Sequence, residues 1–441
     1  MPTVTSSRDL YIDMLRAGSV AIVVLTHWLG PVVLVQGSTV TMEISLGGRG
    51  AWVASWILQI MPVVFLAGGV ANAAIVGKMR ERRRSYAEFL GLRARRLIAP
   101  LAALVAIVAV ASLLATVLGA ANVGEAISMA ATKPLWFVAV YLFVTALAPL
   151  MVVAHERFGL LVPGLLAVAV FVVDALRFRG TDFSVINLAL VWLFAHQLGI
   201  VYASGLFRDT RAGVLLAVAA LSAAISLLAV TAGPYPPAMI GLRDMPVSNF
   251  APPTLMLVLL ACAQFAVIVW VGRWAGQRLR TIRWQRLLLL ANRPIMTIYL
   301  WHIPAMIALV GMALLAPQRL LPGRGPGWWL SRPLWLLACA LLLAATVAWF
   351  QRFESIAFPA LPGPMPRWAS TSLTVVGATI AIACAYQIWR HGAHLIGPGA
   401  PTRITALAGL ALSLVLLCPQ SPQPDTSREA PTGPLVGLRT D

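Results

Sequence analysis

The sequence predicts an all-α fold, a polytopic transmembrane helix bundle of about 10–12 spans with both termini cytoplasmic. Three observations carry this expectation. The 441 residues are 60% hydrophobic and only 11% charged, with a mean hydropathy of +0.85, whereas soluble domains carry about 25% charged residues. Apolar stretches close to the length that crosses a bilayer recur from end to end. The basic residues collect in the segments between those stretches. A net charge of +18 and a pI near 11.2 would suggest nucleic acid in a soluble protein. Here the charge orients spans instead, so the expected partner is the lipid bilayer and no nucleic acid.

The apolar stretches place spans at 10–34, 52–76, 97–119, 134–153, 160–176, 184–203, 212–231, 253–272, 294–315, 333–350, 372–389 and 404–418. The fifth and twelfth are short for a crossing. The first follows Arg8 and Asp9 directly, is too long for a signal core and lacks a cleavage site. The segment 78–96 holds Lys78, Arg80, Arg82, Arg83, Arg84, Arg93, Arg95 and Arg96, and 273–293 holds six further arginines. Both follow even-numbered spans, which puts those segments and both termini on the cytoplasmic side. The segment 232–252 contains Pro234, Pro236, Pro237 and Pro252, and is expected to be an irregular outer loop. Cys262, Cys339, Cys384 and Cys418 all fall inside apolar stretches without metal-ligand spacing, so neither a disulfide framework nor a metal site is expected. The organisation is one membrane domain over 1–355, additional transmembrane helices over 356–418, and a disordered cytoplasmic tail over 419–441, rich in Pro, Ser and Thr.

Five constellations could carry chemistry. Asp13, Arg16 and His27 are ionisable groups on one apolar span, where an ionisable group is costly and functional by default. Arg16 and His27 lie nearly three turns apart, so they share a face about 16 Å apart along the axis, and Asp13 can pair with Arg16. Imidazole titrates near neutrality, which makes His27 a candidate general base. Arg93 and Arg96, at i and i+3, can form a phosphate clamp. Tyr299 and His302 sit one turn apart before Pro304, inside the ninth span. Glu354 follows the tenth span and can pair with a cytoplasmic arginine. Trp136 and Tyr141 follow Lys133 and Pro134, where an interfacial aromatic belt is expected.

Together these segments resemble the acyltransferase-3 family of integral membrane acyl transferases. The family's first span carries Leu-Asp-x-Leu-Arg-like residues and then Arg-x10-His, matched here by Asp13, Leu15, Arg16 and His27. Its Arg-x-x-Arg matches Arg93 and Arg96, with Leu97 and Pro100 following. Its Leu-Trp-Phe-x-x-x-Tyr matches Leu135, Trp136, Phe137 and Tyr141. Its Ile-Tyr-Leu-x-His-x-Pro matches Ile298, Tyr299, Leu300, His302 and Pro304, and Glu354 matches a glutamate near the end of the tenth span. The resemblance covers about 8–355. The eleventh and twelfth spans go beyond it.

The resemblance implies transfer of an acyl group, often acetyl, from a cytoplasmic acyl-CoA co-substrate to a hydroxyl, with no permanently bound cofactor. The acceptor is commonly a cell-envelope glycan, a glycolipid or a secreted metabolite. The implied catalytic residues are His27, Arg16, Asp13, His302 and Tyr299. Arg93, Arg96 and Glu354 would bind acyl-CoA, and Trp136 and Tyr141 would bind substrate. Direct transfer and an acyl-enzyme relay both stay open. The expected location is a bacterial cytoplasmic (inner) membrane, consistent with a composition so rich in arginine that Lys78 and Lys133 are its only lysines. The alternative is a secondary transporter using Arg16, His27 and His302 as a substrate or proton path. Against it, the charge is concentrated in two segments and no internal repeat is visible.

Overall fold

A computed structural model describes residues 9–36, 39–44, 51–240, 248–279, 281–321, 323, 325–355, 361–417 and 420–422. Among them, eleven helices are long and apolar enough to cross a membrane, and the chain is an all-α polytopic bundle. The expected tail, 419–441, lies outside the described residues except for Gln420–Pro422, as does most of the second half of the 232–252 loop.

Helix α1 (Leu10–Leu29) starts where Asp9 caps it, its carboxylate accepting from the backbone N–H groups of Tyr11 (2.9 Å) and Ile12 (3.2 Å). It stops short of the expected residue 34. Gly30 is still helical, but Pro31 has no N–H to continue the helix, and the β-branched run after it forms strand β1 (Pro31–Gln36), paired antiparallel with β2 (Thr39–Ile44). The second expected span is broken into α2 (Ala51–Leu58) and α3 (Met61–Glu81), with Pro62 in the first turn of α3.

Helix α4 (Tyr86–Val117) begins eleven residues before the expected span. The stretch 86–96 is helical rather than loop, because Ser85 accepts from the Glu88 N–H at 3.2 Å and arginine is a good helix former. Arg93 and Arg96 therefore stand on a rigid helix. The chain continues through α5 (Ala121–Ala131), α6 (Leu135–Phe158), α7 (Leu161–Phe178), α8 (Asn187–Ala203), α9 (Ala212–Thr231) and α10 (Leu255–Arg278). The second basic segment is also partly helical, forming α11 (Ile282–Asn292). After it come α12 (Ile295–Ala313), which runs on through Pro304, the single-turn α13 (Pro317–Leu320), α14 (Pro326–Phe350), α15 (Arg367–His391) and α16 (Ala400–Leu416). The last is shorter than the eleven spans.

Helices α7, α9 and α14 bury the least of their surface in the bundle. Leu165 and Phe171 on α7, and Leu221 and Leu228 on α9, are more than half exposed in the isolated chain, as lipid-facing residues would be. The interior is built around α3. It packs against α8 through Gly69 and Gly199, where a Cβ would overlap His196 O and Leu66 O respectively. This close approach has a consequence one turn away on each helix. Asn72 on α3 and His196 on α8, both fully buried, come within hydrogen-bond distance. Helix α1 in turn packs against α3, α11, α12 and α14. It thereby meets α12 directly, while α4 and α6 face it across a cavity.

Candidate functional site

An open cavity lies between α1, α3, α4, α6 and α12. Its charged lining is Arg16, Arg93, Arg96 and Glu354, and its aromatic lining includes Phe137, Tyr141 and Tyr299. Three guanidiniums against one carboxylate make it a cationic chamber. The charged groups gather at one end of the bundle, where α1 starts and α14 finishes.

Two of the three cavity arginines are held by a buried amide. Arg93 Nη2 donates to Asn72 Oδ1 at 2.7 Å, while Asn72 Nδ2 donates to His196 Nε2 at 3.0 Å and reaches Thr145 Oγ1 at 3.4 Å. Arg16 Nε donates to Asn292 Oδ1 at 2.7 Å, and Asn292 Nδ2 donates to the carbonyls of Asp13 (3.0 Å) and Leu288 (2.9 Å). The expected Asp13–Arg16 ion pair is present at 3.8 Å. Hydrogen bonds to charged groups contribute roughly 1.5–3 kcal/mol each. Asn72 fixes Arg93 without cancelling its charge, whereas Arg16 also carries the Asp13 carboxylate. Arg96 lines the cavity with no hydrogen bond among the described residues, and Arg95 turns the other way, buried with Nε on Gly91 O.

Glu354 enters from the turn after α14. Its Oε1 accepts from the Thr297 backbone N–H (2.7 Å) and from Thr297 Oγ1 (2.5 Å). Glu354 thus clamps the start of α12, and its second carboxylate oxygen, Oε2, is buried without a partner among the described residues.

The two membrane histidines meet. His302 Nε2 lies 2.9 Å from His27 Nδ1. The direction of this bond follows from its neighbour. His302 Nδ1 is 2.5 Å from the Tyr299 carbonyl, which can only accept, so Nδ1 carries the proton. In the neutral ring, Nε2 is then an acceptor, and His27 Nδ1 must donate to it. His27 is left with a bare lone pair on Nε2. Trp28 Nε1 donates to the His302 carbonyl at 2.9 Å and holds the two helices in register. On α1, Arg16, Val20 and Val23 line the cavity. His27 continues that stripe one turn further on, and its side is exposed.

The remaining predicted residues fall in three places. Tyr141 lines the cavity, its ring against Gly68, where a Cβ would clash with it. Tyr299 also lines it, but its hydroxyl donates to Pro134 O at 3.1 Å. Trp136 does not line the cavity. It packs against Phe137, Trp192 and Phe250 in an aromatic cluster. Sequence reasoning missed Asn72, His196, Asn292 and Thr297. Their signal is the one used for His27: a polar side chain inside or at the start of an apolar span. Among the described residues no group of His, Cys, Asp and Glu could hold a metal ion.

Residues 9–351 match the acyltransferase-3 family model, described as an acyltransferase domain. No curated protein and no solved structure matches the chain. The family match spans both histidines, all three cavity arginines and the rest of the cavity lining except Glu354. It ends just before Glu354, with α15 and α16 beyond it. No observation favours a carrier. The chain belongs to the acyltransferase-3 family and is a multi-pass membrane acyltransferase.

Proposed function

We propose that the protein is an acyl-CoA-dependent O-acyltransferase of a bacterial cytoplasmic membrane, with the arginine-lined end of the cavity facing the cytoplasm. The observation that carries this reading is the arrangement along α1. A cationic cavity lined on α1 by Arg16, Val20 and Val23 lies one helical turn below His27, which pairs with His302. The phosphates of coenzyme A, or of another donor with the same handle, would pair with Arg93 and Arg96. Glu354 Oε2 would accept an N–H from the donor. The thioester arm would then run toward His27, and an acceptor hydroxyl would approach from the other end.

The chemistry follows from the tautomers. A hydroxyl becomes a competent nucleophile when a base removes its proton as it attacks. His27 Nε2 takes that proton while the hydroxyl oxygen bonds to the thioester carbon. The imidazolium that forms keeps its Nδ1–H on His302 Nε2, and the His302 Nδ1–H stays on the Tyr299 carbonyl. Collapse of the tetrahedral intermediate breaks the carbon–sulfur bond, and His27 returns the proton to the departing thiolate. Arg16 lies too far along the helix to touch the reacting atoms and instead orients the donor. The acceptor is expected to be a sugar of an envelope glycan or glycolipid, or a secreted metabolite.

Calorimetry of the purified chain in detergent tests the donor assignment. Saturable binding of acetyl-CoA or a longer acyl-CoA is the expected outcome. A folded sample that binds none of them would remove acyl-CoA as the donor.

A further inference from the structure

At the opposite end of the bundle from Glu354 sits a cation that the donor site does not use. Helix α14 turns Trp328, Arg332, Trp335 and Cys339 inward, at i, i+4, i+7 and i+11. Trp329, Leu330, Leu334 and Leu337 face outward and are 55–81% exposed. Arg332 is only 6% exposed, so it does not reach out to the bilayer surface as an anchoring arginine does.

Its guanidinium lies 4.5 Å from the Trp328 ring and 5.1 Å from the Trp335 ring. Nε donates to Trp328 O and Nη2 to Ser331 Oγ, both at 3.2 Å. Nη1 has no hydrogen bond and no carboxylate lies within 4 Å, among the described residues. A buried charge without an anion is costly, and two indole faces offset only part of that cost. The cluster is wired to the histidine pair, since Trp335 Nε1 donates to Trp28 O at 3.2 Å, next to His27. Lys133 also lies within electrostatic reach of His27.

We propose that Arg332, clasped between Trp328 and Trp335 beside the His27 end of α1, binds a carboxylate or phosphate oxyanion carried by the acyl acceptor. The acceptor is then an anionic molecule, such as a sugar acid or a sugar phosphate, with a hydroxyl presented to His27. This rests on the acyltransferase reading above. The fork of the guanidinium supplies the geometry, with Nη1 as the free donor. The inward direction of Arg332 favours an acceptor over a bulk lipid headgroup.

The full-length protein in detergent is titrated with glucuronate, inorganic phosphate and neutral glucose by calorimetry, in wild-type, Arg332→Gln and Arg332→Lys forms. The wild type is expected to bind both anions and not glucose. Arg332→Gln should weaken the anions by roughly 10- to 100-fold, the value of a charged hydrogen bond. Arg332→Lys, which keeps the charge and loses the fork, should fall between and serves if the glutamine variant does not fold. Acetyl-CoA binding in the same samples is expected to stay unchanged; its absence in every form would count against the donor reading, not against Arg332. No anion binding by folded wild type, or equal binding by the variants, overturns the proposal. So does phosphatidylglycerol that native mass spectrometry finds retained through Arg332 and that neither anion displaces, because the site would then belong to a lipid headgroup.

Discussion

His27→Ala is expected to lower acyl transfer by roughly 10²–10⁴-fold, the contribution of a well-placed general base, while the protein still inserts and folds. The variant loses His27 Nε2, the atom that the tautomers leave unprotonated and free to act as base. His302→Ala should cost less, roughly 10–100-fold, as partners one step removed from a reacting centre do. Its removal frees His27 Nδ1 and lets the ring turn or change tautomer, so the loss should fall on kcat and leave donor affinity intact. His302→Gln restores part of the rate if its Oε1 accepts from His27 Nδ1. Incorporation of radiolabelled acetyl from acetyl-CoA into membranes expressing each variant reads this order. Near-normal transfer by His27→Ala would take His27 out of the mechanism. A silent His302→Ala would leave it as packing.

The Arg93→Ala, Arg96→Ala double variant is expected to weaken acyl-CoA binding by about 100-fold or more, since two charged hydrogen bonds of roughly 1.5–3 kcal/mol each are lost. The two should not contribute alike. Arg93 is already positioned by Asn72 and its buried network, so little order is lost when a phosphate arrives. Arg96 is unanchored among the described residues and must be fixed by the ligand. Arg93→Ala alone should therefore cost more than Arg96→Ala alone, and Asn72→Ala should reproduce part of the Arg93 loss. Calorimetric affinity for acetyl-CoA decides this. Unchanged affinity in the double variant would return both arginines to the role of setting topology.

Much of this site was legible because the bilayer makes polar residues conspicuous. Asp13, Arg16, His27 and His302 stand out against apolar runs, and the Asp13–Arg16 contact follows from their i, i+3 spacing. The span 212–231 came out with the bounds its composition suggests, since nothing polar blurs its ends. The start of α4 did not, because a run of arginines looks like a loop and is also good helix. The Ser85-x-x-Glu88 pattern was the overlooked start signal. The pairing of His27 with His302, and of Arg16 with Asn292, depends on which helices cross, and periodicity within one span does not contain that. Arg332 was hidden for a different reason. At a span's end it reads as topology, and only the packing shows that it points inward between two tryptophans.

The most direct measurement is an electron cryomicroscopy structure of the full chain with acetyl-CoA bound. The phosphates are expected beside Arg93 and Arg96, with the acetyl group beyond Val23, within reach of His27 Nε2. A donor seated outside this cavity, or one whose acetyl group points away from His27, would contradict the proposed mechanism.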